Sequence, residues 1–184
     1  MKRAKRKFRR KISQFKKLKI GTRAVNLAMF IIGWVIVIAL AWLYVVGFRT
    51  ETIISDNAMS PTYEEEAVIR INRVIYKFSS PRRFDTVALQ IGETSSNVYY
   101  VRRIVGLPGE TVRIENGTIY IDDVELDYPY NEETIENAGA ANRDILLDDN
   151  EYFVLCDNYN VRMDDSRSAN IGVISSSQII GRVN

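Results

Sequence analysis

The sequence predicts a mostly β domain preceded by one N-terminal transmembrane helix. Three observations carry that expectation. Residues 24–48 form a 25-residue stretch with no charged side chain. The residues after it fall into short runs of β-branched and aromatic side chains separated by turn formers. One separator is Asn116-Gly117, the pair that a type I′ hairpin turn selects because both central residues need φ > 0.

Residues 1–23 are a basic tail with twelve Lys or Arg and no acid. The other 161 residues carry 13 bases and 23 acids, so the whole-chain charge of +2 describes neither part. Between Arg23 and Arg49 the one strongly polar side chain is Asn26. At about 1.5 Å per residue, a helix over 24–48 spans a hydrocarbon core of about 30 Å with some tilt. Trp42 and Tyr44 suit the far interface. A cleaved secretory signal has a shorter apolar run, about 7–15 residues, and a small-x-small cleavage site. Tyr44-Val45-Val46-Gly47-Phe48 offers no such site. Residues 24–48 therefore read as a signal anchor. The basic tail holds the N-terminus in the cytoplasm, and residues 49–184 form a domain outside the plasma membrane. A basic tail directly before a span also points to anionic membrane lipid as its partner. No base-reading motif accompanies it, so nucleic acid is not expected.

In the outer domain, Val68–Tyr76 reads as a strand running on toward Lys77, a solvated strand residue. Asp85–Gln90 and Val98–Val101 follow. Gly106-Leu107-Pro108-Gly109 turns the chain into the hairpin 111–114 and 118–121. Residues 129–150, rich in acids, amides and small residues, read as a long excursion or mobile loop. Tyr152–Leu155, Ile171–Ile174 and Ile179–Val183 close the domain.

The chain has no His, and Cys156 is its only cysteine. That excludes Ser-His-Asp and Cys-His catalysis, an intramolecular disulfide and the usual zinc sites. No metal and no cofactor are expected.

Two segments carry the functional signal. The first is Ala58-Met59-Ser60-Pro61-Thr62, and the second is Tyr100-Val101-Arg102-Arg103 through Gly106-Leu107-Pro108-Gly109-Glu110. Between them stands Arg83-Phe84-Asp85-Thr86-Val87. After them come Asp157-Asn158, Asp165-Ser166-Arg167, Gly172-Val173 and Gly181-Arg182. In order and spacing these blocks resemble the type I signal peptidases, membrane-bound serine proteases that remove signal peptides. The family patterns are Ser-Met-x-Pro-Thr, Arg-Gly-Asp-Ile-Val, Tyr-Val-Lys-Arg-x-x-Gly-Leu-Pro-Gly-Asp and Gly-Asp-Asn-Arg-x-Asn-Ser-x-Asp-Ser-Arg.

The resemblance places the family's Ser nucleophile at Ala58 and its Lys base at Arg102. Neither residue type does that chemistry. A methyl group cannot attack a carbonyl, and a guanidinium does not deprotonate at ordinary pH. If Arg102 is buried it needs a counter-charge, and Asp56, two residues before Ala58, is the first candidate. Losing one member of such a unit costs a factor on the order of 10⁶, and losing the second adds little. Ser55 and Ser60 flank the site. In an extended chain Ser60 stands about 7 Å from position 58, too far to take over. The resemblance also implies a substrate groove beside Met59 and Pro61, and a structural salt-bridge cluster of Arg103, Asp165 and Arg167. The last block is eroded: Cys156 stands for a Gly and Tyr159 for an Arg. The family Ser that positions the base has no counterpart near Arg162 and Met163.

The expectation is a catalytically inactive, signal-peptidase-like membrane protein. It acts as a scaffold or chaperone for a secreted or membrane-tethered client, like the signal-peptidase-like proteins of Gram-positive pilus clusters. A pilin, a sortase or an active signal peptidase are the partners that this class implies. The alternative is an active signal peptidase using unconventional groups.

Overall fold

The computed structural model describes residues 22–48, 50–54, 56–91, 99–131, 133–160 and 164–183. The sequence-based readings of the basic tail up to residue 21, of Ser55, of Val98 and of Arg162-Met163 lie outside them. The chain divides into two units, Met1–Val45 and Val46–Asn184.

Helix α1 spans Thr22–Phe48. Its segment Arg23–Tyr44 is long and apolar enough to cross a membrane. Gly33 sits inside it with nothing near its missing side chain, and Phe30 and Trp34 meet edge to face at 6.2 Å.

The second unit is mostly β. Its strands are β1 (Thr50–Ile53), β2 (Val68–Asn72), β3 (Thr86–Leu89), β4 (Tyr100–Gly106), β5 (Thr111–Glu115) and β6 (Thr118–Ile121). They continue with β7 (Val124–Glu125), β8 (Ile145–Leu146), β9 (Glu151–Leu155), β10 (Ile174–Ser175) and β11 (Ile179–Val183). One sheet has the order β1-β2-β11-β3-β4-β9-β10 and the other β7-β6-β5-β8. The neighbouring strands run antiparallel.

The hairpin forms as its sequence demands. Asn116 and Gly117 take φ of 51° and 82°, and β5 pairs with β6 from Val112↔Ile121 to Glu115↔Thr118. A Cβ on Gly117 would also lie 2.9 Å from Thr134 Cβ, so position 117 needs Gly twice over.

Three expectations change. β2 stops at Asn72 instead of running to Tyr76. The Asn72 side-chain oxygen accepts the backbone N–H of Val74 and of Ile75, each at 3.1 Å, and bends the chain into a 3₁₀ turn over Ile75–Lys77. Lys77 is exposed on that turn and is not a strand residue. Residues 129–150 are not a bare loop. They contain a 3₁₀ turn, Gly139–Asn142, and strand β8, and they bury Ile135, Ala141 and Leu147 against β5, β6 and β9. Finally, 171–173 is turn, with Gly172 at φ 63°, and pairing begins only at Ile174.

β4 is the axis of the domain. Residues Val101–Gly106 are all buried, so the strand is covered on both faces. Gly106 ends it where three side chains converge. A Cβ there would meet Val112 at 2.5 Å, Leu147 at 2.8 Å and Phe153 at 2.9 Å. The strand that carries Arg102 and Arg103 is thereby fixed from both sides.

Candidate functional site

The segment after β1 is a chain of turns rather than an extended run. Ser60 N–H donates to Asn57 O at 3.2 Å, Tyr63 N–H to Met59 O at 2.8 Å, and the Ser60–Pro61 peptide is cis. The extended spacing assumed for Ser60 therefore does not apply. Asp56 starts this turn, its Oδ1 accepting the Ala58 N–H at 3.2 Å. A second loop clasps it: Asn158 N–H donates to Ala58 O at 2.9 Å, and Asn158 Nδ2 to Asn57 O at 3.2 Å. Ala58 and Met59 are completely buried, and Met59 packs with Ile54, Ile69, Ile71, Ala88 and Val101. Pro61 is exposed. Of the two residues expected at a groove, only Pro61 presents surface.

The side chain of Arg102 is entirely buried. Its Nη2 donates to Asp56 Oδ2 at 3.2 Å, its Nη1 to Val101 O at 2.6 Å and its Nε to Asp164 O at 2.6 Å. The Tyr100 ring lies 5.4 Å from its Cζ. A guanidinium cannot escape burial by losing its proton, so it survives only among acceptors. Asp56 thus links the two positions to which the resemblance assigns the dyad, holding the Ala58 backbone with one oxygen and Arg102 with the other.

Successive strand residues point to opposite faces, and Arg103 takes a different set of partners. Its Nε donates to Asp157 Oδ1 at 2.8 Å, its Nη2 to Asp157 Oδ2 at 2.5 Å and its Nη1 to Phe84 O at 3.0 Å. The same carboxylate accepts Thr62 Oγ1 at 2.5 Å and Tyr128 OH at 2.9 Å. The Tyr130 ring covers the guanidinium at 3.5 Å. Burial alone lowers the pKa of Arg103, but the Asp157 hydrogen bond and charge outweigh it and the net shift is upward. Burial and Asp157 raise the Tyr128 phenol. Arg167 pairs instead with Asp165, Nη2 to Oδ2 at 2.8 Å and Nε to Oδ1 at 3.0 Å. The expected three-residue cluster is thus two separate ion pairs. Asp157 is the partner of Arg103, and sequence reasoning did not assign it.

Phe84 occupies the place of the Gly in the family's Arg-Gly-Asp pattern, yet keeps a left-handed φ of 69°. Left-handed backbone costs a non-Gly residue roughly 1–2 kcal/mol. Its ring meets Tyr130 at 5.6 Å and Tyr128 at 5.9 Å, contacts that offset the strain. Nothing in the sequence flagged Tyr128 or Tyr130.

Cys156 is buried directly behind this site, and its N–H donates to Asp165 Oδ2 at 3.0 Å. Burial pushes its thiol up to about 12, against the pull of Arg102 and with the push of Asp165. A neutral, buried thiol is a poor nucleophile. Among the described residues no group of His, Cys, Asp or Glu is arranged to hold a metal.

Comparison with known proteins agrees with the family resemblance. The family model described as signal peptidase, peptidase S26, matches residues 25–184. Signal peptidase I S of Bacillus subtilis is 32% identical over 137 residues, 70% of this chain and 71% of that protein. Signal peptidase IB of Staphylococcus aureus is 28% identical over 172 residues, 83% and 87% of the two chains. The crystal structure of a signal peptidase I from Enterococcus faecalis aligns with a TM-score of 0.45 at 30% identity, over 58% of this chain and 98% of that one. The chain belongs to the type I signal peptidase family.

Proposed function

We propose that this family member is catalytically inert and binds a segment of a secreted or membrane-tethered protein beside the membrane, as a scaffold or chaperone. One observation carries the reading. The position matching the nucleophile is a buried Ala58, and the position matching the base is a buried Arg102 ion-paired with Asp56. No atom at either place can attack or take a proton. The only cysteine is neutral and buried. The domain stands outside the plasma membrane, anchored by α1, with the basic tail in the cytoplasm. A surface protein such as a pilin is the client class, and a sortase or an active signal peptidase is the enzyme it works beside.

The test is cleavage of a signal-peptide substrate by the full chain in detergent, with signal peptidase I S of Bacillus subtilis run alongside. The expected result is no turnover above background. Turnover within about a hundredfold of the control establishes the alternative, an active peptidase using unconventional groups, since loss of the dyad costs on the order of 10⁶. In cells lacking the chain, surface display of tethered proteins should fall, and the inert wild-type chain should restore it.

A further inference from the structure

We propose that Arg102 is a carboxylate receptor whose resident occupant, Asp56, gives way to a carboxylate from a bound peptide. The proposal rests on the reading of this chain as a binding protein, and it names the chemistry that the site selects.

Among the described residues three buried arginines pair with carboxylates, and one pair is built differently. Asp157 and Asp165 have fully buried side chains, and each meets its arginine through more than one contact. Asp157 also takes Thr62 and Tyr128, and Asp165 takes the N–H of Cys156 and of Arg167. Neither can leave without stranding several donors. Asp56 is 20% exposed and reaches Arg102 through a single contact of 3.2 Å. Among the described residues its other hydrogen bond is a 3.2 Å contact from the Ala58 N–H. Among the described residues, Arg102 uses three of its five donors, one per nitrogen.

This arrangement favours exchange. The 3.2 Å contact to Asp56 is longer than the about 2.7–2.9 Å of a well-made charge-assisted bond, so an incoming carboxylate that takes the place of Asp56 and closes to that distance gains over the contact it replaces. Asp56 turns into water and regains its hydration. The buried cation is never left unpaired, so the step avoids the large penalty of breaking a buried ion pair. The ligand carboxylate comes either from an Asp or Glu side chain of an extended segment or from a peptide C-terminus.

The experiment uses the full chain in detergent, as wild type, Asp56→Ala and Asp56→Asn, each with and without Arg102→Gln. Thermal unfolding is compared in sodium acetate and sodium chloride at equal ionic strength. Acetate should raise the midpoint of Asp56→Ala by about 2–4 °C over chloride, and the difference should vanish with Arg102→Gln. Three probes are then titrated by calorimetry: N-acetyl-Ala-Leu-Ala as free acid, N-acetyl-Ala-Glu-Ala-amide and N-acetyl-Ala-Gln-Ala-amide. Either carboxylate probe should bind wild type, and bind Asp56→Asn about tenfold more tightly because the internal competitor is gone. Binding of the free acid alone assigns a C-terminal carboxylate; binding of the Glu probe assigns a side chain. Equal responses to acetate and chloride, or no advantage of either carboxylate over the Gln probe in wild type and Asp56→Asn, overturn the proposal. If Asp56→Ala does not fold, the wild-type and Asp56→Asn titrations decide. An inert chain that ignores carboxylates keeps the scaffold reading and loses this one. A chain that cleaves substrate loses the scaffold reading whatever acetate does.

Discussion

Arg102 and Arg103 are adjacent in sequence, yet their surroundings predict unequal responses to mutation. Asp157→Ala leaves the buried Arg103 guanidinium without its counter-charge and removes the acceptor of Thr62 and Tyr128, and should cost about 3–5 kcal/mol. Asp56→Ala strands Arg102 behind a partly exposed partner and should cost less, about 1–3 kcal/mol. Urea denaturation of the two variants checks the order; a larger loss for Asp56→Ala contradicts it. Cys156 gives a pH prediction. Its folded value of about 12 lies above its ordinary 9.0. The folded state therefore binds that proton more tightly, and its contribution is complete below pH 9 and lost between about 9 and 12. Denaturation midpoints should fall over that window, and Cys156→Ser should shallow the fall. The Asp56–Arg102 pair was legible in the sequence, because Asp56 stands two residues before Ala58 and a buried guanidinium needs a counter-charge. The Asp157–Arg103 pair was not. A separation of 54 residues gives no reason to choose Asp157 over Asp165.

At the scale of elements, local chemistry was readable and long-range packing was not. Asn116-Gly117 named its own hairpin because turn geometry is set within four residues. Gly117→Ala should cost about 1–3 kcal/mol, since the added methyl meets a left-handed φ and Thr134 together. A shift in urea midpoint without a change in slope is the expected signature. Residues 129–150 misled because Ile135, Ala141 and Leu147 are too sparse to form a periodic pattern. They are recruited one at a time by β5, β6 and β9. β2 overran its end for a similar reason. Val74 and Ile75 favour a strand, but the Asn72 side chain captures their N–H groups.

The whole chain was legible in outline, as a long apolar helix and a mostly β domain. Composition sets both, since an uncharged 25-residue run and the strand-turn alternation need no knowledge of contacts. The division into two sheets was not legible, because strand order depends on pairings far apart in sequence. The charge split gives the prediction that belongs at this scale. Protease added to intact protoplasts should digest residues after α1 and spare the basic tail. Protection of the β domain contradicts that topology.

The position of β11 has a consequence for when the domain can form. β11 lies between β2 and β3, pairing Arg182 with Asn72 on one side and Ile179 with Leu89 on the other. A nascent chain that has not yet reached residue 183 therefore holds two unpaired strand edges with a gap between them. β2 ends at Asn72 and β3 at Leu89, yet both wait for β11, which begins only at Ile179. The domain is built so that it stays open to threading until its eleventh strand is made. A fragment ending at residue 178 should remain protease-sensitive, and adding the five residues of β11 should bring protection in one step.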